Sequence, residues 1–217
     1  MGIRRSVSLF SHTRDVTQTH REIEVDVVVI NHLTLDGVMQ APMAPEEDRR
    51  DGFDHGGWAA PNADEVMAKA MGEGIARGGS LLFGRRTYEH MASFWPHQPD
   101  EVPYAKVINE RQKYVASRTL QAPLEWANAT LLEGDAGDAV AALKESSGPD
   151  LAVLGSGDLL RTLMRRDLID VWVILIHPLV LGAGRRLFPD GGAPASFRLT
   201  DTRTTTTGVV IASYERP

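Results

Sequence analysis

The chain has 217 residues, 42% of them hydrophobic, and a formal net charge of −6. That length suits one large domain or two small ones, and the apolar share excludes global disorder. The acidic balance argues against a broad nucleic-acid surface, and the absence of cysteine excludes disulfides, thiolate metal sites and a cysteine nucleophile.

Residues 1–22 carry Arg4, Arg5, Arg14 and Arg21 among Ser and Thr, without an apolar period. A disordered N-terminal extension is expected there; "MGIRRS" formally fits a myristoylation pattern through Gly2 and Ser6, but the pattern is short and chance matches are common. "VDVVVI" (Val25–Ile30) reads as a buried strand, followed by a turn at Asp36-Gly37. Residues 41–62 hold three prolines, several glycines and many charges, the composition of a long loop that can serve as a lid. Asn62, with Glu65 three residues on, fits a capping box for a helix whose apolar face is Val66, Met67, Ala70 and Met71.

Ser80–Gly84 is a second strand, and Tyr88, Met91, Ala92 and Trp95 give the next helix its face before Pro96 stops it. Further strands are expected at Lys113–Ser117, 128–134 and 150–155, with a helix over 138–146. A last helix carries Leu159, Leu160, Leu163 and Met164 on one side. A strand over 171–182 is interrupted at His177-Pro178, since proline cannot donate to the ladder. Residues 197–215 read as an antiparallel hairpin. The alternation predicts a single α/β domain over residues 23–217, with a mostly parallel central sheet, helices on both faces and a C-terminal antiparallel hairpin. No apolar run reaches the length of a membrane span, because Asp170 and Pro178 bracket the longest; a cytoplasmic protein is expected.

Three motifs lie at strand-to-helix ends, where open α/β sheets bind ligands. Gly155-Ser156-Gly157 can seat a pyrophosphate on free helix N–H groups, although Leu160 stands where a dinucleotide fingerprint has its third glycine, and a plain turn is an even alternative. Gly84-Arg85-Arg86-Thr87-Tyr88 and Ser117-Arg118-Thr119 add guanidinium forks suited to phosphate. One pyrophosphate site and two sites for a 2′-phosphate favour NADPH over NADH; taken singly, each arginine reads as a solvated surface residue. Asp36, with a raised pKa, is a candidate proton donor, although Asp-Gly is also a strong turn signal. Trp58 is a candidate flat wall for a heterocyclic substrate, or else an anchor for its loop. His55, His90, His97 and His177 lack metal-ligand spacing, so no metal is expected, and His177 reads as a structural strand residue. No nucleophile elbow and no Walker lysine appear.

Together, "LTLDGVM", "HGGWAAP", "LLFGRRTYEHMASFWP", "KYVASRTL", the stretch from Leu151 to Phe188 and "TGVVIASYE" resemble the dihydrofolate reductase-like proteins, the group that includes the reductase domain of bacterial riboflavin biosynthesis. The resemblance implies that fold, NADPH as reductant and frequently a homodimer. It implies cofactor roles for Gly84, Arg85, Arg86, Thr87, Ser117, Arg118, Gly155, Ser156 and Gly157, and a substrate-site role for Asp36. Gly155 stands where the riboflavin-pathway reductases usually have a glutamate, and there is no zinc-binding deaminase motif, so a stand-alone branch is expected. Asp64 or Glu65 is nearest to the pterin-binding carboxylate of dihydrofolate reductases. The expected function is NADPH-dependent reduction of a small heterocycle, pterin-like or a ribosylated pyrimidine. The alternative is a non-catalytic NADP(H) sensor.

Overall fold

The computed structural model describes residues 25–102, 104–192 and 194–217; the extension expected at 1–22 lies outside them. In chain order come β1 (Val27–Thr34), α1 (Glu65–Gly78), β2 (Ser80–Gly84), α2 (Arg85–Phe94), α3 (Ala105–Glu110), β3 (Lys113–Ala116), β4 (Ala129–Leu132), α4 (Ala136–Glu145), β5 (Leu151–Leu154), α5 (Gly157–Arg165), β6 (Val171–His177), β7 (Arg198–Thr204) and β8 (Val210–Glu215). They build one sheet in the order β4-β3-β2-β5-β1-β6-β8-β7. Strands β1 to β6 are parallel, and β8 runs antiparallel to both β6 and β7. This is the mostly parallel α/β sheet with a closing hairpin that the alternation predicts.

Side-chain alternation along the strands gives two cores. Val28 and Ile30 of β1 face one way, with Leu81, Phe83, Leu154 and Leu175, and are covered by Met67 and Ile75 of α1, Tyr88 of α2 and Ile108 of α3. Val27, Val29 and Leu33 face the other way, against Leu159, Leu160 and Leu163 of α5 and Val140 of α4. Every residue of β1 is buried, as a strand with both faces covered requires.

Four expectations are corrected. β1 extends to Thr34, because β6 continues to pair with it through Thr34–His177. Asp64, not Asn62, caps α1: its Oδ1 accepts from Met67 N at 2.8 Å, while Asn62 closes a short turn before it. β6 stops at His177, so the run after Pro178 is not strand. The six-residue α3 was not expected; only Ala105 and Ile108 of it are buried, and its third apolar residue, Val107, is exposed.

The loop 41–62 is not an open lid. Val38, Ala41, Phe53, Trp58 and Ala59 form a third, small core with Leu179 and Leu181 packed against it.

Candidate active site

β5 ends opposite Ile30, whereas β1 runs on beside β6 to Thr34. Beyond Leu154 the neighbouring strand is missing from that edge of β1, and a crevice opens at the carboxyl end of the sheet. It is a cavity of about 850 Å³ that reaches from α1 and α3 across the turns after β2, β3 and β5.

The turn after β5 is built from left-handed backbone. Gly155 has φ +61° and Ser156 φ +66°, and α5 begins at Gly157. Two successive left-handed residues turn the chain sharply, so the first N–H groups of α5, which lack partners within the helix, face the crevice end of the sheet. Ser156 does not keep its hydroxyl for a ligand. Its Oγ accepts from Gly84 N at 2.9 Å and donates to Thr87 Oγ1 at 2.9 Å, tying the β2–α2 turn to the β5–α5 turn. A Cβ on Gly157 would stand 3.2 Å from Met39 Sδ, closer than packed side chains ordinarily come.

Of the other expected residues, Gly84, Arg85, Arg86, Thr87, Ser117 and Arg118 all line this cavity together with Gly155, Ser156 and Gly157. They differ in what they already do. Arg85 Nη1 is paired with Glu89 at 2.9 Å, one turn along its own helix. Ser117 Oγ accepts from the N–H groups of Thr119 and Leu120 at 3.1 and 3.0 Å. Arg118 acts at a distance on Asp135, and Arg86 on Asp48; neither has an ion pair among the described residues.

Asp36 and Trp58 lie off the cavity wall. The Asp36 carboxylate accepts from Thr34 Oγ1 at 2.6 Å, Gly182 N at 2.8 Å and Leu181 N at 3.3 Å. The Thr34 hydrogen bond is the main cause that holds its pKa below the ordinary carboxylate value, helped by the two backbone donors. The expected raised pKa is therefore corrected to a lowered one: the Asp-Gly pair is a turn, and its carboxylate staples the 181–182 segment to it. Trp58 is buried; its Nε1 donates to Gln40 O at 2.7 Å and its ring meets His177 edge-on at 5.2 Å. The expected flat wall is the loop's anchor.

Asp64, too, is occupied, by Met67 N and by Thr206 N and Oγ1, both at 2.7 Å from its Oδ2.

The RibD C-terminal domain family matches residues 26–211. The chain belongs to that family. Bacillus subtilis YyaP, an uncharacterized protein, is 30% identical over 141 residues, which is 62% of this chain and 72% of YyaP. YwjB, an uncharacterized protein of the same organism, is 27% identical over 124 residues, 57% of this chain and 66% of YwjB. A putative riboflavin biosynthesis protein from Shewanella sp. PV-4 has a TM-score of 0.64 at 23% identity, covering 89% of this chain and 99% of that one. A pyrimidine reductase-like protein from Corynebacterium diphtheriae gives 0.60 at 12%, covering 89% and 92%. The Thermotoga maritima diaminohydroxyphosphoribosylaminopyrimidine deaminase/5-amino-6-(5-phosphoribosylamino)uracil reductase gives 0.59 at 14%, covering 89% of this chain and 57% of that one. These structures share the dihydrofolate reductase-like fold, and the family match supports a reductase-type enzyme.

In this RibD C-terminal domain the sequence reading missed a second set of arginines. Arg50, Arg161, Arg165 and Arg185 line the cavity with Asp158, which pairs with Arg161 at 2.9 Å, Arg50 at 3.7 Å and Arg185 at 3.9 Å. Only Arg161 had a legible signal, one helical turn after Gly157; Arg50 and Arg185 arrive from segments distant in sequence. It missed His32 as well. His32 lines the cavity, and its Nδ1 lies 2.9 Å from His177 Nε2 in a buried pair. Burial, and for His32 also the neighbouring imidazole, lower the two pKa values to about 3 and about 4 respectively, so both rings are neutral at pH 7.

Proposed function

We propose that the chain is an NADPH-dependent reductase that passes a hydride to a small heterocyclic substrate, acting as a cytoplasmic homodimer. The observation that carries this is the turn Gly155–Gly157. Its left-handed backbone and the Ser156 bonds set two helix N-termini side by side at one end of the cavity, and such N-termini suit a pyrophosphate. The residues fit the cofactor on structural grounds: Gly157 puts no side chain at the head of α5, where a Cβ would crowd Met39 Sδ at 3.2 Å, and Arg161 Nε is buried with no hydrogen-bond partner among the described residues. Arg86 and Arg118, cations without ion pairs among those residues, suit a 2′-phosphate. When bound, the reduced nicotinamide supplies a hydride with its electron pair. The chain binds it, orients it and keeps water from the crevice.

The homodimer reading rests on β7. This edge strand is exposed along its whole length, and Phe188, Phe197, Leu199 and Val210 are exposed apolar side chains on or near it. A second copy of the chain is expected to cover it. Light scattering should read the mass of two chains; a monomer at micromolar concentration would refute this.

The competing sensor reading has the same cofactor end and is separated by turnover. NADPH absorbance should fall when pterins, free pyrimidines, phosphorylated pyrimidines and quinones are offered. Tight NADPH binding with no consumption against any of them would favour the sensor.

A further inference from the structure

The two ends of the cavity differ in chemistry. Its arginines belong to α2, to the turn after β3, to α5 and to the segments around residues 50 and 185; none is on β1, α1 or α3. The wall made by those three elements, the far half of α2 and Trp95 just beyond it is largely apolar, with Ile30, Met67, Met71, Met91, Trp95 and Ile108, and Asn31 and His90 add polar groups to it. Asp64 there is occupied as the α1 cap, and the Tyr104 hydroxyl donates to Ala68 O. His32 follows Val28 and Ile30 in the alternation of β1, so it stands on this same face.

The proton positions on the histidine pair follow from its neighbours. The Asn62 amide nitrogen, a donor only, lies 3.4 Å from His177 Nδ1. With the amide in this orientation His177 Nδ1 accepts, and in the neutral ring its proton is on Nε2. That N–H donates to His32 Nδ1 at 2.9 Å. His32 in turn carries its proton on Nε2, the nitrogen left for the cavity. Trp58, fixed by Gln40, holds the His177 ring from its edge.

We propose that the α1-facing end of the cavity takes a flat, uncharged, conjugated carbonyl compound without a phosphate, and that the carbonyl oxygen accepts a hydrogen bond from His32 Nε2, with His177 and Asn62 as positioning residues. The proposal rests on the reductase reading above and narrows its substrate class. During reduction the electrophilic carbon gains a hydride and its electron pair from the nicotinamide, which is oxidised. The π pair moves onto the oxygen, where the His32 N–H stabilises the growing charge. A proton from water completes the product, and His32 keeps its own.

The test uses isotope-labelled histidine NMR on the full chain without nucleotide, titrated with menadione or with uridine monophosphate. Both His32 and His177 should be protonated on Nε2, menadione should shift His32 Nε2, and uridine monophosphate should not. Asn62→Asp, which offers an acceptor, should invert both tautomers, a change that a merely structural asparagine would not cause. A His32 ring protonated on Nδ1 in the unaltered chain overturns the proposal, as does a His32 shift with uridine monophosphate alone, or none with menadione. With NADPH present, His32→Phe should lower kcat for menadione about a hundredfold at unchanged NADPH affinity, and His32→Gln should restore part of it. Unchanged turnover in His32→Phe overturns the role. Should NADPH fail to bind at all, the reductase reading falls, while the nucleotide-free titration still decides the histidine claim.

Discussion

The turn after β1 and the turn after β5 begin alike: a buried parallel strand, then a polar residue and glycine at positive φ. They end differently. Asp36 turns its carboxylate onto Thr34 and onto the N–H groups of Leu181 and Gly182, so it ties the segment after β6 to the turn and lies off the cavity. Ser156 instead bonds sideways to Gly84 and Thr87, which leaves the N–H groups at the head of α5 to whatever enters the crevice. The difference teaches that a strand-end glycine motif becomes a binding site when a helix starts directly behind it with its first N–H groups toward the cavity, as α5 does after Ser156, whereas the β1 turn leads into a loop. A charged residue in such a motif is not thereby catalytic.

The comparison can be broken by four substitutions or titrations. The largest effect is expected at Trp58, the anchor of the β1-side loop. Trp58→Ala should cost about 3–5 kcal/mol of stability in denaturant unfolding and leave the NADPH affinity of the folded fraction unchanged. Normal stability with lost turnover would restore Trp58 as a substrate wall.

At the β5 turn, Gly157→Val should weaken NADPH about a hundredfold, roughly 2.7 kcal/mol, in a chain that still folds. Fluorescence titration checks the affinity and circular dichroism the fold; undiminished affinity in a folded variant would remove the cradle.

Asp36→Asn removes a charge-assisted acceptor and should lower stability by about 2 kcal/mol with no change in NADPH affinity or in the pH profile of turnover. It also has a pH signature. The Asp36 pKa is depressed in the folded chain, so its contribution is present above the ordinary carboxylate value of 3.8 and is lost as pH falls through the lower folded value. The acid limb of the unfolding profile should flatten in Asp36→Asn.

The histidine pair titrates in a different window. Both folded pKa values lie below the free value of 6.5, at about 3 for His32 and about 4 for His177. The unfolded chain therefore binds more protons between these limits, and stability falls as pH drops below 6.5. The loss between pH 7 and pH 5.5 should be about 1 kcal/mol per histidine, and a double replacement of His32 and His177 by Gln should abolish it. A wild-type profile flat over that range would mean that the rings titrate freely.

The sheet was legible because its signals are local. Short apolar runs mark β1, β2 and β5, and helical periodicity marks α2 and α5, whose faces reach the core as spaced. The end of β1 was not, since only pairing with β6 defines it, nor was α3, too short to have a period. At the candidate site, the glycine turn and the arginines of α2 and the β3 turn were readable as a constellation because all follow strands. Arg50 and Arg185 reach Asp158 through tertiary contacts that no spacing encodes. His32 sits beside Asn31 at the polar end of a strand that starts apolar, and its partner His177 is distant in sequence. Trp58 was misread because a polar loop sequence does not reveal that Val38, Phe53 and Leu179 gather into a core of their own around it.

The central claim is that the turns after β2, β3 and β5 hold a 2′-phosphorylated dinucleotide. Its most direct test is the ratio of NADPH to NADH affinity, measured calorimetrically for the unaltered chain and for a chain carrying both Arg86→Ala and Arg118→Ala. The account predicts at least about tenfold tighter binding of NADPH to the unaltered chain and a ratio near one in the double variant, since each charge-assisted contact is worth about 1.5–3 kcal/mol. Failure of the unaltered chain to bind either nucleotide, or a ratio that survives the loss of both arginines, would contradict it.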